Sequence, residues 1–183
     1  MPTHVVRWAE AVEVPWKNGG GITRELVVAG GEPFDWRLSA ATIDSDGPFS
    51  DFPGIDRVLV LLRGNGVVLE IDGAEVRLES PGAGVSFAGE ARVASALVDG
   101  PTVDLNLMTR RDALYSSWSV AAADAPMLDD LSDLVVAHVL EGDVVADGNV
   151  LAVGDTVWWE TTDDAPTFAG AGVLVRFGLT RRR

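Results

Sequence analysis

Three segments of this 183-residue chain carry polar side chains inside otherwise apolar runs, at the spacing of two that sends alternate residues to one face of a strand. In Thr102-Val103-Asp104-Leu105-Asn106-Leu107-Met108, Asp104 and Asn106 share one face while Val103, Leu105 and Leu107 share the other, so an acid and an amide are directed together. In Trp36 to Ile43, Arg37 and Ser39 share a face; in Ile22 to Val28, Arg24 and Glu25 fall on opposite faces. If the apolar face of 102–108 packs against a neighbouring sheet, its polar pair looks into a barrel mouth, where buried polar groups need partners or a ligand. If the pair faces water, it is an ordinary solvated strand face.

Other chemistries find less support. The stretch Trp16-Lys17-Asn18-Gly19-Gly20-Gly21 precedes a strand, not a helix, and has neither GxxxxGK nor GxGxxG, so it reads as a tight loop with close backbone approach and not as a phosphate cradle. Asp44-Ser45-Asp46-Gly47 begins like a calcium loop, but Pro48 and Phe49 follow and no Glu closes a twelve-residue span. There is no Cys, and the two histidines, His4 and His138, have no partner at ligand spacing. No stoichiometric transition metal is therefore expected, since imidazole or thiolate is what such metals select. A carboxylate-only Mg²⁺ or Ca²⁺ site stays open. With no GxSxG and no Ser beside a His, an enzyme here would rely on carboxylates, Lys17 or Tyr115.

The elements that must position these residues are strands. Apolar runs rich in Val, Leu and Trp recur between Gly, Pro and Asp clusters, and no window of twelve residues keeps a helical period. Strands are expected near 4–8, 22–28, 36–43, 57–63, 66–71, 75–79, 84–88, 91–98, 102–110, 115–120, 134–140, 143–146, 149–152, 155–160 and 172–179. Asp72-Gly73 between two alternating runs marks a hairpin with a type I′ turn. About 75 residues on, Leu62-Arg63-Gly64, Asp72-Gly73 and Gly84 find counterparts in Leu140-Glu141-Gly142, Asp147-Gly148 and Gly154. A repeat of several strands per unit suggests two β-barrels in tandem, the first over 1–111 and a shorter second over 112–183. Ala121 to Pro126 reads as a loop, Asp129 to Asp133 as a polar or short helical connector, and the stretch up to Asp56 as an Ω-type loop pinned by Phe49, Phe52 and two prolines.

Charge narrows the partners. Fourteen basic against 28 acidic side chains give a net −14, a field that repels phosphate backbones and anionic lipid surfaces. Neither nucleic acid nor membrane is expected as a partner, and no apolar run reaches the length of a membrane helix or marks a leader, so the expected location is cytoplasmic. Residues 1–111 hold 10 of the 14 basic side chains, and three of the other four are Arg181, Arg182 and Arg183 at the end of the chain.

Five ordered blocks are recognisable together: Trp16 to Glu25, Trp36 to Ala41, Asp46 to Arg57, Phe87 to Glu90 and Asp104 to Met108. They resemble the HutD/Ves family and cover most of 16–111; residues 112–183 are similar only as a second Gly-punctuated barrel. The resemblance implies an all-β fold of two tandem cupin-like barrels of the RmlC-like jelly-roll type, packed into one compact unit. It also implies a link to histidine utilisation for the HutD branch and a stress-related label for the Ves branch. The paired His, Glu and later His of the usual cupin metal motif are missing, so neither a metal nor another cofactor is expected.

Two functions stay open. The first is a metal-free binding protein whose first barrel captures a small carboxylate, an intermediate of histidine breakdown being one candidate, in a regulatory or buffering role. The expected pocket gathers Lys17, Asn18, Arg24, Glu25, Arg37, Ser39, Arg57, Asp104 and Asn106, with guanidinium forks and amide donors on the ligand. The second is a metal-free isomerase or hydrolase using Glu25, Asp104 or Tyr115 for proton transfer. Exposed strand edges of such barrels also suit a homodimer.

Overall fold

The computed structural model describes residues 3–16, 20–126 and 131–183. These form β1 (His4–Val6), β2 (Val12–Pro15), β3 (Gly21–Gly30), β4 (Phe34–Ile43), β5 (Gly47–Pro48), β6 (Ile55–Arg63), β7 (Val67–Ile71), β8 (Ala74–Leu78), β9 (Gly84–Ala88), β10 (Val93–Leu97), β11 (Thr102–Arg110), β12 (Leu114–Ala122), β13 (Leu134–Glu141), β14 (Val144–Ala146), β15 (Asn149–Leu151), β16 (Thr156–Glu160), β17 (Phe168–Ala169) and β18 (Val173–Arg181). The sequence reading passes over β2, β5 and β17. Two of these are two-residue pairings, and β2 is an edge strand with all four residues exposed, so none carries an alternating pattern. The connector expected over 129–133 begins outside the described residues. No helix is long and apolar enough to cross a membrane.

The chain divides into two compact units. Val12–Ala113 builds the first barrel from a six-stranded sheet, β2-β3-β4-β11-β6-β9, and a four-stranded sheet, β5-β10-β7-β8. Its core includes Leu59 and Leu61 from β6, Val67 and Leu69 from β7, Leu78 from β8 and Val93 from β10. The second barrel sets β1-β16-β13-β18-β12 with β15-β14-β17, around a core that includes Val135, Val139, Val144, Leu151, Trp159 and Leu174.

The repeat extends to topology and to hydrogen bonds. The order β4-β11-β6-β9 recurs as β12-β18-β13-β16, and β10-β7-β8 as β17-β14-β15. In both hairpins the Asp takes a positive φ, 50° at Asp72 and 47° at Asp147, which the following Gly continues. In both, the same Asp carboxylate accepts the amide N–H of a residue twenty positions on, Arg92 at 3.0 Å and Thr167 at 2.8 Å. Leu61 and Gly82 exchange the same backbone bonds with 82–83 and 61 that Val139 and Gly154 exchange with Asp155 and 139. The counterpart of Gly154 is thus Gly82, not Gly84 as the spacing suggested. This is the cupin-like two-barrel fold.

The first domain read from sequence as 1–111 needs correction at its start: residues 3–11 lie in the unit of the second barrel. There β1 pairs with β16, and the buried Asp155 carboxylate accepts from Arg7 Nη1 at 2.7 Å and from the amides of Trp8 at 2.9 Å and Ala152 at 3.0 Å. Burial alone pushes the Asp155 pKa up, but the two amides and Arg7 outweigh it and hold the carboxyl below its ordinary value.

Candidate functional site

The first barrel encloses a cavity of about 530 Å³. The pleat of three adjacent strands decides which side chains reach it. On β4, Arg37, Ser39 and Ala41 face it; on β11, Asn106 and Met108; on β6, Arg57 and Leu59. Register then makes them neighbours: Asn106 stands opposite Ser39 on one side and Leu59 on the other, and Met108 lies between Arg37 and Arg57. The remaining wall is mostly apolar and aromatic, from Val14, Pro15 and Trp16 at β2, Ile43 of β4, Pro48 of β5 and Phe49 and Phe52 of the loop that follows, with Thr23 and Ser50 as its polar members. Trp16 is fixed by its indole N–H, which donates to Thr23 Oγ1 at 2.7 Å, and by the absence of a side chain at Gly21, where a Cβ would meet the Thr42 carbonyl and the indole ring.

The polar part of the wall is cationic. Arg57 is 6% exposed and Asn106 8%, and Arg57 Nε donates a long 3.4 Å bond to Asn106 Oδ1. Among the described residues no carboxylate lies within ion-pair distance of Arg57. Burial, and behind it repulsion from Arg37, pulls the Arg57 pKa down to about 10, so the group remains a cation at neutral pH. Arg37 is more open, and its Nε donates to Glu25 Oε2 at 3.1 Å. The two guanidiniums that face this cavity repel a metal cation. Among the described residues no three His, Cys, Asp or Glu side chains cluster in a way that would hold a metal.

Of the nine residues expected here, Arg37, Ser39, Arg57 and Asn106 come together on the cavity wall. Glu25 pairs with Arg37 but is not part of the lining. Asp104 shares the face of Asn106 but is fully buried outside the lining; its Oδ2 accepts from Thr102 Oγ1 at 2.8 Å and its Oδ1 has no hydrogen-bond partner. Burial pushes its pKa up to about 7 against the smaller pull of Thr102. Arg24 is a correction: it stands opposite Glu13 on the other face of the sheet and pairs with it, because the period of two that sends Thr23 inward sends Arg24 outward. Lys17 and Asn18 lie outside the described residues. Tyr115 belongs to the second barrel's unit, is 56% exposed beneath the Arg182 guanidinium and is not part of the cavity lining.

His4 stacks on Trp158 with ring centroids 3.9 Å apart, and the buried His138 meets Thr156 Oγ1 through Nδ1 at 2.9 Å. What sequence reasoning missed is the aromatic share of the site. Phe49 and Phe52 read as loop anchors, yet with Phe87 they surround Arg57, at 5.3, 5.4 and 5.0 Å from its guanidinium carbon to the ring centres. The signal was present, since all four residues fall inside the recognisable blocks.

The second barrel treats the same place differently. Arg176 of β18 pairs with Ala137 of β13 as Asn106 of β11 pairs with Leu59 of β6. Its buried guanidinium donates to the carbonyls of Ala122, Ala123, Ala125 and Pro126 at 2.7 to 3.1 Å. Both terminal nitrogens of this cation are held by the backbone of its own barrel, while its buried Nε has no hydrogen-bond partner among the described residues.

Comparison with known proteins adds four findings. A profile of the HutD family matches residues 9–175. The chain is 35% identical to the protein Ves of Cronobacter sakazakii over 147 residues, 79% of this chain and 80% of that one. It is 39% identical over 107 residues to an uncharacterised 21.2 kDa protein in the hutC 3′ region of Pseudomonas putida, 57% of this chain and only 56% of that relative's length. Among solved structures, HutD from Pseudomonas fluorescens SBW25, in a formate condition, superposes with a TM-score of 0.89 at 29% identity over the full length of both chains.

Proposed function

This chain belongs to the HutD family, and from that premise we propose that its first barrel is a metal-free binding site for a small carboxylate metabolite, held reversibly in a regulatory or buffering role. The observation that carries the reading is Arg57, a buried guanidinium on a cavity wall with no carboxylate beside it among the described residues. A desolvated cation is stable only when paired or hydrogen-bonded, and a ligand carboxylate supplies that partner. Arg37, Ser39 and Asn106 stand within the same patch to receive the rest of the anion, and the Phe, Trp, Pro and Met walls receive an apolar body. The net charge of −14 does not oppose this, because exposed charges are screened within about 8–10 Å.

Binding fits better than catalysis. Neither Asp104 nor Tyr115 lines the cavity, and Glu25 is engaged with Arg37, so the acids and bases of the isomerase or hydrolase reading are not aimed at an occupant. Intermediates of histidine breakdown are the first candidates, on the strength of the family. Formate, the condition of the Pseudomonas fluorescens structure, is the smallest probe of the class.

A thermal-shift panel of histidine-pathway intermediates and simple carboxylates tests the reading. A ligand at about 100 times its Kd adds roughly 2.7 kcal/mol, and each kcal/mol moves the midpoint of a chain this size by about 2–4 °C, so a shift of about 5–10 °C is expected. A panel in which no carboxylate shifts the midpoint, or in which a neutral sugar or a cation gives the largest shift, overturns it.

A further inference from the structure

We propose that Phe87, with Phe49 and Phe52, holds the Arg57 guanidinium in place without neutralising it, Phe87 being a positioning residue that acts on a bound anion only through Arg57. The inference rests on the carboxylate reading above and goes beyond it, because it concerns how the fold keeps a buried cation available. The usual partner of a buried arginine is a carboxylate, and such a partner would compete with an anionic ligand. Here the partners are the neutral Asn106 amide and three aromatic rings, whose negative faces attract a cation yet carry no net charge. The site keeps its full positive charge while the side chain is held on three sides.

The geometry distributes the work. Phe87 is the cross-strand partner of Arg57 in the β6–β9 pair, so the ladder itself sets their separation. It packs on the core formed by Leu59 and Leu61 and is not part of the cavity lining, whereas Phe49 and Phe52 are. A ligand therefore meets the two loop phenylalanines and never meets Phe87. The loop is pinned in turn: the Phe49 amide donates to the Val93 carbonyl and the Phe52 amide to the Gly89 carbonyl, both at 2.8 Å. Burial lowers the Arg57 pKa, and the rings act in the opposite sense by favouring its charged form.

The test uses the full chain with Phe87→Leu, Phe87→Tyr and Phe87→Met. Calorimetry with formate and benzoate is run beside nuclear magnetic resonance of the Arg57 Nε–H group, assigned from its loss in Arg57→Lys. We expect Phe87→Leu to weaken carboxylate binding at least tenfold and to move the Nε–H resonance as the ring current is lost. Phe87→Tyr, which keeps the ring, should stay within threefold of the parent with the resonance near its parent position. If the parent binds a carboxylate and Phe87→Leu binds it equally well, the holder is refuted while the carboxylate reading stands. If no carboxylate binds the parent, that reading falls, and the resonance alone decides the holder: unmoved in Phe87→Leu refutes it, displaced supports it. Should Phe87→Leu not fold, Phe87→Met, which also removes the ring from the same position outside the lining, gives the same comparison, with the same two outcomes.

Discussion

Asp104 gives the protein a dependence on pH opposite to that of most carboxylates. It is fully buried on β11, with one hydrogen bond from Thr102 Oγ1 and an Oδ1 that has none. Burial raises its pKa from 3.8 to about 7. Between those values the folded chain holds a proton that the unfolded chain has released, so ν is larger in the folded state and stability falls as pH rises. The loss is complete once pH passes the folded value near 7. At about 1.4 kcal/mol per unit, the three-unit gap corresponds to about 4 kcal/mol, an upper figure because water and side chains rearrange around a buried charge. Asp104→Asn removes the titration and nearly keeps the shape. Urea unfolding of parent and variant at pH 4.5, 6, 7 and 8.5 gives the free-energy difference between them, in which all other titrating groups cancel. That difference should move in favour of the Asn variant as pH rises, by several kcal/mol between pH 4.5 and 8.5, and the carboxyl carbon shift of Asp104 should titrate near 7. A difference independent of pH, or one that favours the parent at high pH, refutes the assignment of a neutral Asp104 below 7 and means that a cation serves its carboxylate.

Arg57→Ala should weaken binding of the carboxylate that gives the largest thermal shift by about 10- to 100-fold, each charge-assisted bond being worth about 1.5–3 kcal/mol, and Arg57→Lys should recover only part because it cannot fork. Arg24→Ala, on the far face with Glu13, should bind within twofold of the parent in the same titration. Asp155→Ala strips two amides and Arg7 of their acceptor and should cost about 2–4 kcal/mol, with hydrogen exchange rising first over residues 4–11. At Gly89 a Cβ would run into the Phe52 carbonyl, so Gly89→Ala should destabilise by about 1–3 kcal/mol, read as a lowered midpoint in thermal unfolding.

The parts of the fold that alternate, or that turn on Asp-Gly, were legible in the sequence. The two hairpins and the succession of strands along the chain from 55 to 110 follow from the apolar runs and the Gly and Asp clusters between them. Strand β2 was not legible, because an edge strand with every residue exposed has no face to mark. Nor was the attachment of β1, which depends on a carboxylate 147 residues from Trp8. At the site, the period of two placed Arg37 with Ser39 and Asp104 with Asn106, but period alone does not say which face is the inside. That is why Arg24 was assigned to the pocket although its own neighbour Thr23 occupies the inward position. The three phenylalanines around Arg57 come from a loop and a strand that only the folded register brings to one arginine.

The two barrels repeat one plan, yet their interiors differ at facing positions. Where the first sets Arg57 opposite Phe87, the second sets Val135 opposite Trp159, both in its core. Arg176 is tied through both terminal nitrogens to four carbonyls of its own barrel, and an anion that took a guanidinium fork there would have to displace some of them. A duplicated architecture therefore does not bring a duplicated receptor: saturation should occur at one equivalent of carboxylate per chain, along a simple hyperbola, with no second and weaker phase from the copy.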